Sequence, residues 1–261
     1  MNNNNVNELN NRKFDNCLIS IIVIPIKIYF KESKDLVNEK ELYIFFSCNI
    51  QGKRKYLTSV FKDDFAKTSD WYDFILSLKS KGINVLLYAV IPNNDYLSKA
   101  LKLAFNDIAV FISYIETINK LSKYYTSSYT NSIFNKIRKI YLAKDINEYE
   151  FNLISFKEEY FNFPFIIDLF EGDLKRAREY YNTSFELRNF VFSLYFCRDL
   201  YKRLTVISHS KSYFSSINEF VSLFIPDIQR FESRMFCPKK TLNNIINILY
   251  NDKKELIKPY L

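Results

Sequence analysis

Glycine is nearly absent from this sequence, with 3 in 261 residues, and proline is scarce at 6. Three glycines cannot supply a glycine-rich phosphate loop, which excludes the common nucleotide-binding fingerprints. Histidine occurs once, as His209, and the four cysteines (Cys17, Cys48, Cys197 and Cys237) lie far apart with no CxxC pair. A structural zinc site needs four closely grouped N or S ligands, so none is expected, and no other metal or cofactor is implied. Isolated cysteines on apolar segments behave as small buried hydrophobes, and a reducing cytoplasm suits them. Long apolar runs are missing too. The best one, Leu18 to Ile28, is interrupted by Pro25 and Lys27 and is too short for a membrane-spanning helix. The preceding Asn2 to Asn5, Arg12, Lys13 and Asp15 form no basic leader, and no small-residue cleavage site follows, so neither secretion nor a membrane is expected.

What the chain has instead is aromatic mass: 25 Phe and 20 Tyr within a hydrophobic content of 48%. That suffices for a core in one or two domains. Lys and Arg number 37 against 29 Asp and Glu, a net charge of +8. A basic chain attracts polyanions, nucleic acid foremost. The abundance of Asn, Lys, Ile and Tyr also fits an AT-rich coding bias, which raises the lysine count without any partner.

The pattern along the chain changes period several times. Residues 1–16 are polar and rich in Asn, as in a disordered lead-in. Leu18 to Phe30, Leu42 to Asn49 and Lys55 to Phe61 read as strands, the last two joined by a turn at Gln51-Gly52-Lys53. Trp71, Phe74, Ile75 and Leu78 then recur at helical spacing, and Gly82 closes that helix. Asn84 to Val90 is a continuous apolar run, the mark of a central strand. A helix over Asp95 to Phe105 and a strand over Ile108 to Ile115 follow. From Thr117 to Glu179 the spacing is helical throughout, and Phe185 to Leu204, Ile217 to Ile225 and Leu242 to Leu249 extend it. Strand-strand-strand-helix-strand-helix-strand predicts a mixed sheet flanked by helices, as at the front of a ribonuclease-H-like domain.

Several short motifs then fall in a recognisable order. Trp71 precedes Leu78-Lys79-Ser80-Lys81-Gly82-Ile83, and before it Gly52 and Leu57 sit in the strand segment Tyr43 to Phe61. Ala100, Leu101 and Phe105 come next, then Lys139-Ile140-Tyr141-Leu142-Ala143, Glu186-Leu187-Arg188, and finally Phe214 and Ser216. In order and spacing, from about residue 18 to 225, these resemble the catalytic core of the mutator-type transposases of bacterial insertion sequences. The chain starts at the first strand, so the family's N-terminal DNA-binding segment is expected to have no counterpart.

The resemblance implies a site of two Asp and one Glu holding two divalent metals that activate water, and later a 3′ hydroxyl, for attack on phosphate. Carried over residue by residue, the first Asp falls on Ile24, the second on Pro92 and the Glu on Arg198. Isoleucine and proline offer no side-chain oxygen, and an arginine repels the cations it should bind. Asp95 lies three residues past Pro92, and Asp199, next to Arg198, is turned about 100° from it on a helix. Asp15 and Glu32 are the nearest acids to the first strand, so a shifted register could save one position but not all three. The family's Cys and His after the fifth strand fall on Ser113 and Glu116. The expectation is therefore a transposase-like protein without the metal site and without catalytic residues, not an enzyme.

Other features read more plainly. Asp15, Asp107 and Asp168 are scattered, as caps or solvated residues are. The aromatic stripe Tyr124, Tyr125, Tyr129 and Phe134 fits a core better than a base-stacking platform. Arg198, Lys202, Arg203, His209 and Lys211 form the best basic cluster, either a phosphate-binding face near the lost site or a solvated helix face.

The fold expected is α/β, a ribonuclease-H-like mixed sheet with an all-helical insertion. Its parts would be a lead-in over 1–16, a first part of the core over 17–116, the insertion over 117–184 and C-terminal helices over 185–261. Two functions remain open: a catalytically inactive, DNA-associated or regulatory transposase derivative, or a protein-interaction scaffold within a larger assembly. The partners left open are DNA, a second copy of the chain and another protein.

Overall fold

The computed structural model describes residues 8–9, 11–33, 36–113, 118, 121, 124–192, 194–234 and 238–261, with the backbone alone at 127, 173, 175, 179 and 194–199. A five-stranded mixed sheet and ten α-helices make up the described architecture. The strands are β1 (Cys17–Lys31), β2 (Val37–Asn49), β3 (Arg54–Phe61), β4 (Val85–Ile91) and β5 (Ala109–Ile112), in the order β3-β2-β1-β4-β5. β1 pairs antiparallel with β2 and parallel with β4, and β2 pairs antiparallel with β3.

β1 explains the sheet. Its residues from Cys17 to Ile24 are buried without alternation, the signature of a strand covered on both faces. After Pro25 the pattern becomes Ile26 in, Lys27 out, Ile28 in, Tyr29 out, so only one face stays covered. A proline inside a central strand must put its missing N–H where no ladder bond is needed. Tyr29 O and Lys31 N bond to the Phe214 backbone, so the odd-numbered groups of β1 face away from β2. Pro25 N shares that side, past the last β4 partner, Ile22, and before the bridge of Phe30 to Phe214. The β2–β3 turn is set by Asn49, whose Oδ1 accepts from Gln51 N at 3.0 Å and Lys53 N at 2.9 Å, with Gly52 at φ 71°.

Two units divide the chain: residues 1–110 with 194–261, and residues 111–193. In the first, α1 (Thr68–Ser80) buries Trp71, Ile75 and Leu78, with Trp71 stacked 4.3 Å from Phe65. α1 packs on α2 (Asp95–Ala104), which Asn94 caps by accepting from Leu97 N. The end of the polar lead-in is fastened to this unit: Phe14 N donates to Lys81 O, Arg12 pairs with Glu232, and Asp15 with Lys55.

The second unit contains α3 (Ser127–Tyr141), α4 (Ile146–Glu159), α5 (Pro164–Ala177) and α6 (Phe185–Val191) around Ile133, Ile137, Tyr149, Phe156, Ile166 and Phe170. The aromatic stripe read as core is split: Phe134 is buried, but Tyr124 is 69% exposed because it lies before the start of α3 rather than on its inner face. Arg188 is buried and closes the end of α3, donating to Tyr141 O, Ala143 O, Lys144 O and Thr183 O.

The periodic run from Phe185 to Leu204 is two helices, α6 and then α7 (Leu194–Ser208) in the first unit, where α7 packs on β1. α8 (Ile217–Glu232) packs on β3, and α9 (Lys239–Asp252) with α10 (Lys254–Ile257) ends the chain. Among the described residues no helix is long and apolar enough to cross a membrane.

Candidate functional site

The parallel register of β1 and β4 runs from Cys17↔Val85 to Ile22↔Val90. Two residues on, Ile24 is level with Pro92, which directly follows β4. Both are buried, Ile24 to 3% exposure. Arg198 is on α7, the helix that packs on β1, and its side chain lies outside the described residues, as do that of Asp199 and the whole of Glu116. The first two of the three implied carboxylate positions are thus adjacent, and the third sits on a helix against the same strand.

The donor set there does not fit a divalent metal. A hard cation needs several oxygens, and the two described positions present a sec-butyl group and a pyrrolidine ring. Among the described residues no group of three His, Cys, Asp or Glu could hold a metal ion. The acids nearest in sequence are engaged or exposed: Asp15 pairs with Lys55 and Glu32 with Lys40, at the two ends of β1, and Asp95 is exposed in the first turn of α2. Lys40 holds the Glu32 carboxyl below its ordinary range. A separate recess of about 220 Å³ is lined by Lys79, Asn84, Leu86, Phe105, Asp107 and Leu256, at the opposite end of β4 from Pro92.

The basic cluster is less free than its sequence suggests. Lys202, Arg203, His209 and Lys211 are all exposed. Arg203 pairs with Asp227 of α8 at 2.6 Å, and Lys211 pairs with Glu219 of α8 at 2.6 Å. The Lys211 ammonium, and then the Ser215 N–H, hold the Glu219 carboxyl below its ordinary value. His209 Nδ1 lies 2.8 Å from Thr205 O and 3.1 Å from Ser208 Oγ. Lys202 has no ion pair among the described residues; the exposed Val206 lies four residues on along α7, and the exposed His209 lies just past the end of that helix.

The acidic partners Asp227 and Glu219 were not singled out by the sequence reading. Glu219 had a signal: Ser216 three residues before it is a helix N-cap pattern, and Ser216 Oγ does accept from Glu219 N at 3.1 Å. Charge is also divided between the units. Residues 111–193 carry 11 Lys and Arg against 11 Asp and Glu, so the whole excess of +8 falls on residues 1–110 and 194–261.

Comparison with known proteins gives one family. Residues 2–232 match the model described as Transposase, Mutator family. No curated protein matches the chain. Among solved structures, the Drosophila P element transposase strand transfer complex is similar at 12% identity and a TM-score of 0.27, covering 89% of this chain and 70% of that one. A likeness that slight carries no conclusion about fold or partner.

Proposed function

This chain belongs to the Mutator family of transposases, and from that premise we propose that it is a catalytically inactive transposase derivative that associates with DNA through its basic first unit. One observation carries the reading: Ile24 and Pro92, level and buried, fill the place where the family's first two carboxylates are implied. Without them no pair of metals is held and no phosphate is attacked.

The sheet is read as ribonuclease-H-like, interrupted by an all-helical insertion over 117–184. The order β3-β2-β1-β4-β5, with β4 parallel to β1, supports this. Association with DNA is supported by the +8 excess of residues 1–110 and 194–261 and by the exposed Lys202 and His209. Arg203 and Lys211 reach a phosphate only by leaving Asp227 and Glu219.

The test is DNA binding by the purified chain across a salt series, with and without magnesium, scoring cleavage in the same samples. Binding that weakens steeply with salt and no cleavage are expected, and Lys202→Ala should lower the salt slope by about 1. Magnesium-dependent cleavage would overturn the reading. Absence of binding at low salt would favour the second reading, a protein-interaction scaffold, which has its own observation: Phe151 and Phe161 are 69% and 77% exposed on a unit with no net charge.

A further inference from the structure

Charge is unevenly spread within the second unit. From Glu158 to Asp173 the chain carries five acids (Glu158, Glu159, Asp168, Glu171 and Asp173) and no Lys, Arg or His. Lys136 pairs with Glu159 and Lys157 with Glu171. Glu158 and Asp168 are exposed and have no ion pair among the described residues. On a chain of net charge +8, this is a local anionic surface.

The same stretch displays aromatic rings. Phe161, Phe163 and Phe165 are all exposed where α4 turns into α5. Bonds from Phe163 N to Tyr160 O at 2.8 Å and from Ile166 N to Phe163 O at 2.9 Å fix that turn. The Phe165 ring stands at 78° to that of Tyr124, with centroids 5.5 Å apart, and both rings are exposed. Two rings near a right angle make a corner suited to a cation, because ring faces carry partial negative charge. Asp168 follows Phe165 by three residues on α5, so it lies on the same ridge, one turn along.

Gly172 continues that ridge four residues further on. Gly52 and Gly82 have positive φ, and Gly172 does not. A Cβ added at Gly172 would meet nothing within 4 Å. Glycine is unfavourable in a helix interior, and here neither conformation nor packing inside the chain calls for it. What the bare position supplies is close approach of a backbone from outside.

We propose that this face of α5 binds a basic segment of a partner protein. An arginine or lysine sits in the Tyr124–Phe165 corner and pairs with Asp168, and the partner's backbone passes over Gly172. The occupant is argued from charge and ring geometry together. The acids repel a nucleic-acid phosphate, and a wholly apolar partner would bury Asp168 unpaired, whereas a cation satisfies both the carboxylate and the rings. Arginine suits the corner best, since its planar guanidinium stacks on a ring while its fork meets a carboxylate. The inference concerns the second unit and does not rest on association of the first with DNA.

A fluorescein-labelled peptide of six arginines, titrated with the full chain and read by anisotropy, tests it. Saturable binding is expected, with none to a labelled peptide of six glutamates. Phe165→Ala, Asp168→Lys and Gly172→Leu should each weaken binding about tenfold or more, as loss of a central contact does. Asp73→Lys, at an exposed acid of α1 in the first unit, should leave it unchanged. Gly172→Leu should also raise the melting temperature by about 2 °C, which separates a blocked surface from a damaged fold. No binding by the wild type overturns the proposal. So does binding that Asp73→Lys weakens as much as Asp168→Lys does, since that is attraction to acids anywhere, or binding that Gly172→Leu leaves intact.

Discussion

Ile24 of β1 and Pro92 just past β4 stand level across a parallel strand pair, because Ile22 partners Val90 two residues before each of them. Ile24 is paired with Ile44 of β2, and both isoleucines are buried. The position implied for a metal-binding acid is therefore continuous with the hydrophobic core.

Restoring an acid there should damage the fold rather than recover a site. Ile24→Asp places a carboxylate among apolar neighbours with no oxygen-binding cation to neutralise it. The expected loss is about 3 kcal/mol or more in urea unfolding, with no recovery on adding magnesium. A variant as stable as the wild type, or one that magnesium stabilises, would show that the pocket still accepts a hydrated ion.

Much of this was legible in the sequence, for identifiable reasons. β1 was readable because Leu18 to Ile24 is apolar at every position but Ser20, and Ile26, Lys27, Ile28 and Tyr29 alternate. Trp71, Ile75 and Leu78 gave α1 by spacing alone. The division of Phe185 to Leu204 into α6 and α7 was not readable, because the apolar spacing continues through Phe192 while the backbone there turns to ψ 9°. In the basic cluster the charges were visible and their quenching was not. Arg203 meets Asp227 only because α7 and α8 come together, which no local pattern states. Tyr124 misled for a related reason, since an aromatic ahead of a helix start has no fixed face.

Gly82 makes a local test of how the lead-in is held. Its φ is 123°, and a Cβ added there would lie 2.9 Å from Phe14 O. Phe14 N meanwhile donates to Lys81 O, so the two backbones run in close contact. Gly82→Ala should cost about 1–3 kcal/mol through strain and displacement of the Phe14 segment. Faster proteolysis ahead of Cys17 should accompany it. Unchanged melting temperature and unchanged proteolysis would contradict the contact.

Arg188 offers a second. Its guanidinium sits 4.1 Å over the Tyr181 ring and donates to four carbonyls, three of them at or just past the end of α3. Helix ends leave carbonyls without partners, and the partial negative charge there favours a cation. Lysine has one compact charge in place of the planar fork, so Arg188→Lys should lose about 2 kcal/mol and Arg188→Met about 3 or more, since the carbonyls would stay buried and unmet. Hydrogen exchange should locate the loss in the last turn of α3. Full protection there in Arg188→Met would mean that other donors serve those carbonyls.

Buried phenols should set the alkaline limit of stability. Burial pushes the Tyr56 hydroxyl from its ordinary 10 up to about 12, against the opposing pull of its bond to Ser59 and of Arg12. Burial likewise pushes Tyr181 up to about 12, opposed by Arg188. In each case the folded value lies above the unfolded one, so the unfolded chain loses its proton first. The stabilisation is then complete below pH 10 and is lost as pH rises from 10 through 12. Melting temperature should be flat below that window and fall steeply within it. Tyr56→Phe removes one of these groups together with its 2.9 Å bond to Ser59, so it should begin about 1 kcal/mol less stable at neutral pH and then decline more gently. An alkaline decline equally steep in that variant would assign the loss to the other tyrosines that burial raises, Tyr160 and Tyr88 among them, or to the lysines, whose ordinary range overlaps the lower part of the same window.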